Sequence, residues 1–177
     1  MKTNWKRTAF VTILPVLFFI LPGRAATFST NSLGDAFVTT GPSGNLSANN
    51  YGGAGVLGVA APGEAKGEFQ SALQFNSAGA FNLFNSQYGA GQWSLLSVTL
   101  KLTAAPTNNA IFNPINAGQF KVSWMQNNSW VEGSGTPQTP GVTGVTFNSL
   151  QNSLVNGAVD EDLGTFSFGG ATSGANT

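Results

Sequence analysis

Three stretches of this chain alternate apolar and polar residues with a period of two, and that pattern constrains the fold most. Residues 68–75 put Phe69, Ser71, Leu73 and Phe75 on one face and Glu68, Gln70, Ala72 and Gln74 on the other. Residues 96–102 direct Leu96, Val98, Leu100 and Leu102 one way and Ser97, Thr99 and Lys101 the other. Phe120, Val122 and Trp124 alternate with Lys121, Ser123 and Met125, so Trp124 is expected in the core. Successive side chains of a strand point to opposite faces, and one buried face with one wet face is the mark of antiparallel sheets. Weaker strands are expected at 36–40, 55–60, 144–147 and 164–168. Helical periodicity is confined to 80–85 and to 149–156, where Leu150, Leu154 and Val155 share one side.

Between these runs lie stretches rich in Gly, Pro and Asn, at 41–55, 105–118 and 133–141. Gly supplies positive φ, Pro fixes φ and Asn closes local turns, so these are loops. Seven or more short strands joined by polar loops predict an all-β chain, an antiparallel β-sandwich or jelly roll. The chain closes on Phe166, Phe168 and then GGATSGANT, with no further apolar run. A sandwich needs more strands than this, so the domain is expected to be incomplete at its C-terminus, with the strand near 165–168 left without partners.

The first 25 residues read differently. Lys2, Lys6 and Arg7 precede an apolar run over 8–22, followed by Gly23, Arg24 and Ala25. A basic start, an apolar run of roughly 15 residues and small residues at −3 and −1 form a secretory signal peptide cleaved after Ala25. A membrane span needs about 20 apolar residues, and Pro15 interrupts this one. The expected organisation is a signal peptide over 1–25 and a single β-sandwich domain over 26–177, secreted or held at the cell surface.

Without the leader, Lys66, Lys101 and Lys121 stand against Asp35, Glu64, Glu68, Glu132, Asp160, Glu161 and Asp162, a net charge of about −4. So few cations release few counterions from a phosphate backbone, which argues against nucleic acid as a partner. Anionic membrane is disfavoured likewise, leaving membrane contact to the leader or a missing C-terminal tail. The chain contains no Cys and no His. Ser-His-Asp and Cys-His catalysis and the usual zinc sites are therefore excluded.

Several segments in order carry a family resemblance. Asp35-Ala36-Phe37-Val38 is followed by Asn50-Tyr51-Gly52, then Gln70-Ser71-Ala72-Leu73-Gln74-Phe75 and the strand around 98–102. Trp130-Val131-Glu132 and Val145-Thr146-Phe147-Asn148 complete the series. This order resembles the DNRLRE domains, and the likeness covers most of 35–150. The resemblance implies a β-sandwich on an exported bacterial protein, related to carbohydrate-binding modules. Gln70 and Gln74 stand where that pattern often carries Arg, and Phe147 where it often carries Trp.

Sugar-binding sandwiches offer aromatic faces to pyranose rings, with amides and carboxylates gripping hydroxyls. The candidates are Trp93, Tyr88, Trp130 and Tyr51, each of which also suits a core or loop anchor. Trp93 and Tyr88 share the Gly-rich loop SQYGAGQWS, and loops carry function more often than strands. Asp160 and Asp162, in the acidic run 160–162, are the candidates for calcium, which takes six to eight oxygen ligands. The run lacks EF-hand spacing, and a short charge run is ordinarily a solvated turn; no other cofactor is expected. Glu68 and Glu132 are the pair to weigh as glycosidase carboxylates. Two isolated Glu residues are commonplace, so no enzyme activity is expected. The expectation is an exported, non-catalytic module that binds polysaccharide, the alternative being a structural or adhesive surface protein with no sugar site.

Overall fold

The computed structural model describes residues 25–104 and 117–169. Of the expected leader only Ala25 is among them, and most of the 105–118 loop and the end of the chain also lie outside. Strand β1 (Gly34–Thr39) pairs antiparallel with β2 (Phe69–Gln74), Gly34 opposite Gln74 and Thr39 opposite Phe69. Strand β3 (Gly118–Trp124) pairs antiparallel with β4 (Glu161–Phe168) in a separate sheet. Helix α1 (Ala78–Tyr88) follows β2, and a short α2 (Phe147–Ser149) runs into a π-helical turn at Leu150–Leu154. Among the described residues, antiparallel strands are the main regular structure, helices are few, and no sheet closes into a barrel.

The core is built on both faces of β1. Ala36 and Val38 pack with Ala72, Trp130, Val145, Leu150 and Leu154. Phe37 faces the opposite way into a smaller cluster with Tyr51 and Phe69. The Phe37 and Tyr51 rings stack at 4.8 Å and 9°. Consecutive apolar residues at 36–38 require cover on both sides, and β2 shares that cover. The one-sided reading of 68–75 is thereby corrected: Ala72, assigned to the wet face, is buried, whereas Phe75 is 46% exposed.

One buried polar side chain ties the loops to this core. Asn50 Nδ2 donates to the carbonyls of Glu132 (2.7 Å) and Val145 (2.8 Å), and its Oδ1 accepts from the amides of Gly135 (3.1 Å) and Gly52 (3.3 Å). Its backbone also exchanges hydrogen bonds with Gly141. A fully buried Asn, otherwise costly, is thus fully satisfied. Close approach requires glycine around it: a Cβ on Gly133 would lie 2.2 Å from Asn50 Oδ1, and φ there is +80°. The same arm places Glu132 Oε1 against the Asp35 amide (3.3 Å) and Trp130 beside Gly34, fixing where β1 begins.

Other expectations need correction. The 144–147 run is not a strand. Thr146 caps α2 through reciprocal bonds with Ser149, its Oγ1 accepting from the Ser149 amide (3.1 Å) and the Ser149 hydroxyl accepting from the Thr146 amide (2.9 Å). Leu150 and Leu154 are buried as expected of that helix, but the π turn leaves Val155 45% exposed. The 55–60 run makes only a bridge from Ala60 to Phe69. Residues 96–102 form no strand ladder among the described residues, and Leu96 and Val98 are exposed. Trp124 is 49% exposed rather than in the core, because the β3–β4 ribbon lies beside the main cluster and only the adjoining Met125 packs on it. The strand near 165–168, expected to stand alone, pairs with β3, and Phe120 stacks on Phe166 at 5.2 Å.

Candidate functional site

The sequence of α1 explains both its ends. The Asn76 side chain accepts from the Ala78 amide at its start, and Gly89, at φ +89°, turns the chain out after Tyr88. Gly91, at φ +72°, bends it again, so that Trp93 folds back along the helix. Phe81, Phe84 and Tyr88 are spaced three and four apart, which sets them on one helix face. The Trp93 indole meets Phe81 and Phe84 edge-to-face at 5.4 and 5.1 Å, and its Nε1 donates to Asn85 Oδ1 at 2.8 Å. Aromatic edges and one hydrogen bond hold this ring half-buried, without the cover of the main core. Phe81 is 53% exposed, and the amides of Asn82, Gln87 and Gln92 are exposed nearby in sequence.

The four aromatic candidates therefore divide. Trp93 and Tyr88 come to one helix and its return loop. Tyr51 is 4% exposed and stacked on Phe37, and Asn49 donates to its hydroxyl. Trp130 is 8% exposed in the main cluster, on the opposite side of the β1–β2 sheet, beside a shallow groove lined by Ser129, Ser149 and Ser153. Neither ring offers an open face. Phe81, Phe84 and Asn85 complete the Trp93 site; the three-and-four spacing in 80–85 was their sequence signal, but read alone it gives only a helix.

The acidic candidates are occupied by the chain itself. Asp160 accepts from the amides of Gln126 (3.0 Å) and Asn156 (2.7 Å), one on each carboxylate oxygen. Asp162 accepts from the Gly164 amide (2.8 Å) and pairs with Lys121 at 3.1 Å. The Gly164 hydrogen bond, with the Lys121 ammonium second, holds the Asp162 carboxyl below the ordinary carboxylate range. Among the described residues no group of three or more acidic side chains is placed to hold a metal ion.

Glu132 sits at the start of β1, where it accepts from the Asp35 amide, and Glu68 lies beyond its end, where the Glu68 amide donates to Thr40. Five residues of strand separate those contacts by roughly 17 Å, against the roughly 5–9.5 Å between glycosidase carboxylates. No helix among the described residues is long and apolar enough to cross a membrane. No family model matches the chain, and no curated protein or solved structure matches it either.

Proposed function

We propose that this chain is an exported, non-catalytic module that binds polysaccharide outside the cell, with Trp93 as its platform. The observation that carries the reading is the half-buried indole fixed by Asn85, Phe81 and Phe84 beside exposed amides. An aromatic ring held in place loses little freedom when a sugar ring packs on it, and amides satisfy hydroxyls without charge. Tyr88, one turn beyond Phe84, extends the same platform. The two antiparallel strand pairs belong, in this reading, to a β-sandwich of the kind the DNRLRE resemblance implies. The leader over 1–25 supplies export, and the net negative charge leaves neutral or weakly charged glycans as the fitting ligands.

A second reading is a structural or adhesive surface protein with no sugar site. The exposed apolar run at 95–100 favours it. A glycan array spanning neutral and acidic polysaccharides separates the two. Binding that is lost in Trp93→Ala supports the module; signal at background on every glycan leaves the structural reading.

A further inference from the structure

Residues 94–101 adopt no helix or strand, and among the described residues their backbone makes no hydrogen bond and joins no sheet. Their apolar side chains face solvent: Leu95 is 61% exposed, Leu96 85%, Val98 81% and Leu100 40%. A strand-patterned segment with unpaired backbone groups and an exposed apolar stripe is a template for another strand.

The identity of that strand follows from the pattern. Reading outward from Val98, Ser97 is matched by Thr99 and Leu96 by Leu100. The segment is therefore a palindrome in polarity. An antiparallel partner of the same sequence, centred on Val98, would set apolar opposite apolar on one face and hydroxyl opposite hydroxyl on the other. Electrostatics agree, because the only charge, Lys101, would lie opposite Leu95, placing the two lysines at opposite ends of the pair. A one-residue slip would put Val98 opposite a polar side chain and lose the shared stripe.

We infer that residues 95–101 form an antiparallel strand pair with the same residues of a second copy, about a twofold axis through Val98. Such an isologous contact closes at two chains. Pairing of this segment with the ribbon of another copy would instead leave a free segment and a free edge at each step, and would grow.

The chain contains no Cys, so a single introduced thiol reports the register. Opposed residues of an antiparallel pair have Cα atoms about 4.5–5.5 Å apart, within disulfide reach. In the purified chain, Val98→Cys should form a disulfide-linked dimer on mild oxidation. Leu96→Cys should not, because its counterpart lies about 14 Å along the partner strand. Sedimentation should give a dimer for the unaltered chain, monomers for Val98→Asp and Val98→Lys alone, and a heterodimer when those two are mixed. A monomer up to the solubility limit would overturn the proposal. So would a dimer indifferent to Val98→Asp, cross-linking as readily at Leu96 as at Val98, or assemblies that grow without limit.

Discussion

The side-chain amide of Asn50 donates to the carbonyl of Val145 at 2.8 Å, across 95 residues of sequence. With the parallel bond to Glu132 it joins the 41–55 loop to the arm that supplies Trp130, Val145 and Leu150 to the core. The largest cluster is thus closed by a loop-to-loop contact as well as by the strand pair.

Replacing Asn50 by Ala strands two carbonyls and two amides in the interior. Each unsatisfied group costs about 1–3 kcal/mol. Local relaxation recovers part of that, so a loss of at least about 3 kcal/mol is expected from urea denaturation. Asn50→Asp should be no milder, since a carboxylate would face the two carbonyls that the amide now serves.

Glycines around Asn50 should differ sharply from a glycine in open space. Gly133→Ala and Gly144→Ala place a Cβ 2.2 Å and 2.7 Å from the Asn50 side chain, at φ of +80° and +99°. A loss of at least about 1–3 kcal/mol is expected for each from the backbone alone. Gly157→Ala, with nothing within 4 Å of the added methyl, should lie within about 0.5 kcal/mol of the parent in the same melts.

The ribbon should respond to acid through Asp162. Its folded carboxyl value is lowered, so the stabilisation it contributes is present above the ordinary Asp value of about 3.9 and is lost as pH falls through the lowered folded value. Carbon-13 titration of the carboxyl should give a midpoint below the ordinary one. Lys121→Met should raise that midpoint only part of the way, because the Gly164 amide is the larger cause. An ordinary midpoint in the parent would refute the contact.

Much of the strand content was legible because alternation is a local signal. Residues 36–40, 68–75, 120–124 and 164–168 all lie on or against strands found in the structure. The same signal misled at 96–102, since alternation states that a segment can pair but not that a strand of its own sheet stands beside it. It also misled at 144–147, where the cap between Thr146 and Ser149 outweighs a short apolar run. Asn50 sat in the quoted Asn-Tyr-Gly turn, yet its partners at 132, 135 and 145 have no sequence proximity to betray them. Tyr51 and Trp130 look in sequence like Trp93. Only packing separates a ring stacked on Phe37 from one left half-open by the turns at Gly89 and Gly91.

The polysaccharide reading is tested most directly by the indole N–H signals in a nitrogen-15 correlation spectrum. Trp93, Trp124 and Trp130 each contribute one such signal from three separate environments. Titration with a polysaccharide that scores on the array should shift the Trp93 indole signal progressively and saturably, leaving buried Trp130 unmoved. Trp93→Ala should abolish binding while preserving the remaining spectrum. Saturable binding with an unmoved Trp93 signal, or with Trp130 as the responding ring, would contradict the site.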